Sequence, residues 1–189
     1  AVLSVAKSDD KWQVTDSSGN AAMYDHVVFA CHSDQALKMI HSPTSLHRDI
    51  LGNIPYAEND VVMHKDISQL PKRKLAWASW NYSLKEDESE EARPASVTYN
   101  MNILQRLEAQ STYCVTLNNT AEIDQKSILR SYQYAHPQYS ASMVNAQARR
   151  NEICGVDNLH FCGAYWYNGF HEDGVTSALD VRSRFGEAL

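Results

Sequence analysis

The stretch Leu159-His-Phe-Cys162-Gly163-Ala164-Tyr165-Trp166-Tyr-Asn-Gly169-Phe170-His171-Glu172-Asp173-Gly174-Val175 decides how the chain folds. Its first four residues read as a short strand that runs straight into Gly163. Beyond Gly174, residues Val175, Ala178, Leu179, Val181, Phe185 and Leu189 recur near the period of an amphipathic helix. Three of the chain's seven glycines lie between strand and helix. Glycine has no Cβ and reaches positive φ easily, so this concentration marks backbone that must come close to something. The first amides of a helix have no acceptor within it and carry the positive end of its dipole. Such an end can hold a phosphate, but Glu172 and Asp173 stand in the first turn and would repel one. A neutral carbonyl that gains negative charge during reaction suits it better. The competing reading is structural: the two carboxylates favour the dipole and the glycines only turn the chain.

The remainder of the chain reads as a β-rich frame. Val2 to Ala6, then Trp12 and Val14, then Ala22 and Tyr24 alternate between turn signals at Ser8-Asp-Asp10 and Ser17-Ser-Gly-Asn20, which predicts a β-meander. The run Val27 to Cys31 is continuously apolar, as in a strand buried on both faces. Ser33 is placed to cap a helix bearing Ala36, Leu37 and Ile40, and Ser45 to Leu51 predicts a second helix ended by Gly52. Strands are expected over Asp60 to Ile67, around Trp77, Trp80 and Tyr82, over Val97, Tyr99 and Met101, and from Tyr113 to Leu117. Ile123 to Leu129 reads as helical, and His136-Pro137 as a turn. Glu86 to Glu91 is a like-charge run that reads as a solvated loop.

Composition narrows the function classes. The chain has 189 residues, is 43% hydrophobic and 21% charged, and suits a globular protein of one domain or two small lobes. A net charge of −6 supplies no cationic surface, which argues against nucleic acid as a partner. No apolar run approaches a membrane span, and the opening residues are not a signal peptide. Cys31, Cys114, Cys154 and Cys162 form no CxxC pair, so a reduced, cytoplasmic setting is expected. The sequons at Asn81 and Asn118 are read as chance. A metal site from Cys154, His160, Cys162 and His171 matches no common zinc spacing, and none is expected. No residue presents itself as a general base.

In order, Asp25-His-Val-Val-Phe-Ala-Cys31, Leu159-His-Phe-Cys-Gly163-Ala, and Gly169-Phe-His-Glu-Asp-Gly174-Val resemble the flavin-containing amine oxidases and the related NAD/FAD-binding amine oxidoreductases. The resemblance implies that the meander and the two short strands belong to a nucleotide-binding lobe and that the cofactor is FAD. It implies that Gly163, with Ala164 after it, lets backbone approach the ribityl-pyrophosphate region. Gly169 and Phe170 match the glycine–aromatic pair beside the flavin ring, and Glu172 matches the family glutamate. Amides of His171, Glu172, Asp173, Gly174 and Val175 are then expected to face the flavin carbonyl, which gains negative charge on reduction. Tyr165, Trp166 and Phe170 are expected to wall the substrate cavity. Two departures stand out: Ala164 replaces a frequent acidic residue, and Asp173-Gly174 replace a frequent Gly-Ala pair.

The family opens on a strand, a GxGxxG turn and a helix that cradle the pyrophosphate, and residues 1–189 contain no GxGxxG. The resemblance therefore implies an incomplete FAD/NAD(P)-binding domain, built from 1–40 and 151–189, with a substrate-domain-like lobe at 41–150. The fold expected is α+β: an N-terminal meander, a mixed antiparallel sheet with flanking helices, and a C-terminal strand–loop–helix. The function implied is that of a C-terminal portion of an FAD-dependent oxidoreductase, inactive alone and acting on a small molecule only when completed by an N-terminal half. The alternative is a non-catalytic remnant that serves as an interaction or small-ligand-binding module. In either case surface left uncovered favours a homo-oligomer.

Overall fold

Chain reversals at Asp9 and Gly19, both at positive φ, join β1 (Val2–Ser8), β2 (Lys11–Asp16) and β3 (Ala21–Tyr24) into an antiparallel meander. These are the coordinates of a computed structural model, which describes residues 1–84 and 96–186. The Asp16 carboxylate closes the second reversal by accepting from the Ser18 and Asn20 amides. The chain then enters β4 (Val27–Phe29), which pairs in parallel with β10 (Leu159–Phe161), Phe29 lying opposite Phe161. Their rings stack with centroids 5.2 Å apart. Helix α1 (Ser33–Met39) and helix α2 (Ser45–Leu51) follow. Thr44 caps α2 by accepting from the His47 amide, while Ser33 stands one place past the capping position of α1 and instead donates to the Tyr56 hydroxyl.

The chain forms two compact units: residues 1–56 with 137–189, and residues 57–136. The first unit adds α4 (Ala141–Ala148), α5 (His171–Ser183) and a core that includes Val5, Phe29, Ile50, Met143 and Phe161. The second carries a sheet ordered β6-β7-β8-β5-β9, from β5 (Tyr56–His64), β6 (Trp80–Ser83), β7 (Ser96–Asn100), β8 (Cys114–Leu117) and β9 (Ile128–Pro137), with the short α3 (Met101–Leu104) after β7. Neighbours from β6 through β5 are antiparallel. The chain is thus α+β, with antiparallel sheets and five α-helices among the described residues.

The two faces of this sheet are unlike. Asn81, Thr98, Thr116 and Val62 lie in one cross-strand row, and His64, Cys114 and Asn100 in the next; all seven are buried. Their polar groups are paired: His64 Nε2 lies 2.7 Å from Thr116 Oγ1, which lies 2.8 Å from Thr98 Oγ1, and Asn81 donates to the Ala78 and Thr98 carbonyls. The opposite face carries Tyr82, Val97, Leu117 and Val61, then Trp80, Tyr99, Val115 and Met63, and of these only Val61 is buried. The polar rows are inside because each group finds a partner there, which removes most of the cost of burying it.

Several expectations need correction. Ile123 to Leu129 is not helical: a 3-10 turn at Gln125–Ser127 leads directly into β9, where β-branched and aromatic side chains suit a strand. His136-Pro137 is the end of that strand, not a turn. Trp77 precedes β6, and Met101 opens α3. The run at Val27 is not buried on both faces, since Val28 is 46% exposed. Helix α4 carries only a weak apolar period, and its start is marked by Ser140, whose hydroxyl accepts from the Met143 amide. The acidic run Glu86 to Glu91 lies outside the described residues. Asn81 and Asn118 both spend their side-chain amides on internal hydrogen bonds. All four cysteines are free, and no described helix is long and apolar enough to cross a membrane.

Candidate functional site

Strand β10 delivers the chain to Gly163 at φ +154°, where a Cβ would fall 2.4 Å from the Tyr165 ring. The glycine is needed because the Tyr165 side chain folds back over it. Its amide donates to Ser177 Oγ at 2.8 Å, and that hydroxyl donates to the Gly174 carbonyl at 2.8 Å. Ser177, fully buried on the inner face of α5, thus ties the end of the strand to the first turn of the helix.

The intervening loop is held by its own chain. Gln147 on α4 donates to the Tyr165 carbonyl at 2.9 Å and the Tyr167 carbonyl at 2.7 Å. Gly169 adopts φ +88°, and a Cβ there would meet the Tyr139 hydroxyl at 2.6 Å. The Asp173 carboxylate accepts from the Asn168 amide at 3.2 Å and the Phe170 amide at 2.9 Å, closing the loop onto the helix start. The first bond within α5 runs from the Gly174 amide to the Phe170 carbonyl. The amides of His171, Glu172 and Asp173 precede it and have no acceptor within the helix. At Gly174 a Cβ would stand 4.0 Å from Ala164, an ordinary contact.

The structure therefore brings Gly163, Ala164 and Gly174 together, and places Gly169, Phe170 and Asp173 in one closed loop. His171 and Glu172 are exposed, Phe170 is 58% exposed and Val175 51%. Tyr165 and Trp166 are core residues, yet the Tyr165 hydroxyl and the Trp166 indole N–H find no partner among the described residues. Burial pushes the Tyr165 phenol well above its ordinary value. Gly163 and Gly169 are each explained by a tyrosine of the same chain, whereas Gly174 has room for a Cβ. The features that still look outward are the open helix terminus and the exposed Phe170 and Val175.

Sequence reasoning missed the residue that organises this region. Arg150 is buried, with its guanidinium donating to the Phe161 carbonyl at 2.8 Å, the Ser177 carbonyl at 2.8 Å and Asp180 Oδ2 at 2.7 Å, and lying over the Trp166 ring. The Tyr167 hydroxyl donates to the same Asp180 oxygen. That bond holds Asp180 below the usual carboxylate range, with Arg150 adding to the effect, and pushes Tyr167 up against the opposing pull of Arg150. An arginine among polar neighbours gives no pattern to read, and only the fold shows its partners. A cavity of about 370 Å³ opens beside this network, and Arg150, Gln147 and Asp180 in its wall are already engaged within the chain. Among the described residues no three His, Cys, Asp or Glu side chains converge to hold a metal ion.

No family model matches the sequence, and no curated protein is similar to it in sequence. Solved structures share its fold. A CLA-producing fatty acid isomerase from P. acnes aligns with a TM-score of 0.63 at 13% identity, over 98% of this chain and 47% of its own. Reduced UDP-galactopyranose mutase aligns with a TM-score of 0.65 at 13% identity, over all of this chain and 46% of its own. A putrescine oxidase redesigned in its cofactor binding aligns at 0.54 with 10% identity, over 97% and 48%. The chain spans just under half the length of each, and over that half it has the fold these proteins share.

Proposed function

We propose that this chain supplies the C-terminal portion of an FAD-dependent, amine-oxidase-like oxidoreductase, and that a GxGxxG-bearing segment outside residues 1–189 completes the cofactor site. The observation that carries the reading is the parallel pair β4/β10, a sheet of two strands among the described residues, whose C-terminal end opens onto the Gly163 loop and the first turn of α5. Parallel strands are normally interior members of wider sheets, and nucleotide cofactors sit beyond their C-terminal ends. The resemblance of Gly169-Phe-His-Glu-Asp-Gly174 to the flavin amine oxidases and the fold shared with a putrescine oxidase support the same assignment.

The residues present suit a flavin at this edge. The amides of His171, Glu172 and Asp173 have no acceptor within the helix and can donate to a carbonyl oxygen, the small Ala164 lies beside Gly174 at the helix start, and Phe170 stands exposed to form a wall. In this reading Gly169, Gly174 and Val175 shape the approach, and Tyr165, Trp166 and Phe170 border the substrate. Asp173 is spent on the loop amides, which keeps its carboxylate turned toward its own backbone. FAD, when bound, supplies a hydride acceptor for a small-molecule substrate. The chain alone does not retain stoichiometric FAD, and self-association covers surface such as Val28.

The test is to read the coding sequence upstream of Ala1 and purify the protein it specifies. An in-frame GxGxxG and a visible flavin spectrum after desalting are expected. A completed protein that holds no flavin, even when supplied with FAD, overturns the reading.

A further inference from the structure

His26, immediately before β4, and His160, in the middle of β10, face each other with His26 Nδ1 3.2 Å from His160 Nε2. Phe185, just past the end of α5, packs on both rings, with centroid separations of 5.0 Å to His26 and 4.8 Å to His160. His160 is 3% exposed, and its Nδ1 is buried without a partner. We propose that this histidine pair is an acid-responsive latch holding the C-terminal end of α5 against the β4/β10 strands.

The hydrogen-bond arithmetic gives the device its direction. One nitrogen of each ring is committed to the other ring, and only one hydrogen fits between them. If His160 Nδ1 carried a hydrogen, a buried donor would have no acceptor, which is costlier than a bare lone pair. The neutral His160 therefore carries its hydrogen on Nε2 and donates to His26 Nδ1. An added proton has no place while the rings stay paired, whereas His26, itself exposed, can carry one once it turns to solvent. On His160 Nδ1 it makes a buried cation with an unpaired donor. On His26 Nδ1 it forces the hydrogen of His160 onto the same buried Nδ1. The remaining charges do not relieve this. Just past α5, Arg184 adds positive charge beside His160, and in the β3–β4 link Asp25, paired with Lys11 of β2 at 3.0 Å, attracts positive charge on His26 but offers the buried His160 Nδ1 no acceptor. Burial, His26 and Arg184 all push the His160 imidazole below its ordinary value. Acid therefore separates the rings, and Phe185 loses its seat.

The test follows amide hydrogen exchange of Val181 to Phe185, corrected for intrinsic rates, from about pH 7.5 to about pH 5. In wild type their protection is expected to fall about tenfold per pH unit through the titration, the slope for one proton. The fall should exceed that of amides in β1 and β2, which belong to the same unit but do not touch the pair. In the double variant His26→Gln/His160→Gln the extra fall should vanish. Equal pH dependence in both segments, or an unchanged fall in the double variant, overturns the proposal. Ring-nitrogen NMR of the wild type tests the same point without any variant. His160 should be neutral with its hydrogen on Nε2 at pH near 7, and a hydrogen on Nδ1 there also overturns it.

Discussion

The amide of Gly163 and the hydroxyl of Ser177 are joined by a 2.8 Å hydrogen bond between residues fourteen positions apart. Through the further bond from Ser177 to the Gly174 carbonyl, the turn after β10 and the first turn of α5 move as one body. Ser177→Ala leaves the Gly163 amide without its acceptor in a partly buried place. A loss of about 1–3 kcal/mol is expected, read as a lower urea midpoint with unchanged slope. A midpoint equal to wild type shows that the tie carries no stability.

Gly163→Ala sets a methyl group against the Tyr165 ring at a φ that L side chains rarely adopt. The expected cost is about 2–4 kcal/mol. Because the obstacle is one side chain, the pair should be non-additive: in a Tyr165→Leu background the same change should cost distinctly less. A double-mutant cycle by chemical denaturation measures this, and strict additivity would assign the whole cost to the backbone angle.

Arg150→Lys keeps the charge but loses the planar fork that reaches Phe161, Ser177 and Asp180 together. The variant should lose about 2–4 kcal/mol. The Tyr167 phenol should also titrate differently, because the Asp180 carboxylate it bonds is no longer shared with a guanidinium. Ultraviolet titration and thermal melting are the two readouts, and a Tm within a degree or so of wild type contradicts the assignment of Arg150 as the organising residue.

His64 gives unit 57–136 an acid sensitivity of its own. Its Nδ1 accepts from the Asp66 amide at 3.1 Å, so Nε2 carries the hydrogen that goes to Thr116. Burial pushes this imidazole below its ordinary value. The unfolded chain takes up the proton near pH 6.5, the folded chain only at lower pH. Between those points the unfolded state binds more protons, so stability rises with pH and is lost as pH falls through about 6.5. His64→Gln should flatten the dependence by up to about 1.4 kcal/mol per pH unit, with the remaining slope owed in part to His47 and His160, which burial shifts the same way. Urea midpoints for both proteins at two pH values check it. Parallel losses would remove His64 from the account.

Gly174→Ala should be stabilising by up to about 1 kcal/mol, since alanine favours helix and its methyl would rest 4.0 Å from Ala164. Gly174→Val should press on Ala164 and lower the thermal midpoint. In a protein completed to bind FAD it should weaken the cofactor as well. Equal FAD affinity in wild type and Gly174→Val removes the flavin from this helix start.

The elements that repeat a simple period were legible in advance. The meander, α2, β7, β8 and the strand–loop–helix of the tail follow from alternation, caps and glycines that act within a few residues of where they stand. Two kinds of feature were not. Ile128 opens a strand where its neighbours look helical, because pairing in a sheet overrides local preference. Helical spacing of Val175, Leu179 and Val181 does not say which of them is buried: Val175 and Leu179 are each 51% exposed, and the helix is anchored inward by Ser177 and Val181. The anchoring groups, Ser177, Gln147 and Arg150, make their bonds to backbone atoms that only the folded chain brings near. Among the proposed site residues, the sequence located the loop, but it did not show that the Tyr165 ring and the Tyr139 hydroxyl are what Gly163 and Gly169 accommodate.

The parallel pair β4/β10 also dictates an order of events at the ribosome. His26 and His160, which flank that pairing, are 134 residues apart in sequence. At roughly 5–20 residues per second of synthesis, β4 waits on the order of ten seconds for its partner strand to emerge. Residues 57–136 are contiguous and emerge before Leu159, so their sheet can pair while Val27–Phe29 still lacks β10. The inserted unit is therefore a timer as well as a structural element. Any stall of translation before Leu159 lengthens the period in which the β4 edge is open to other chains.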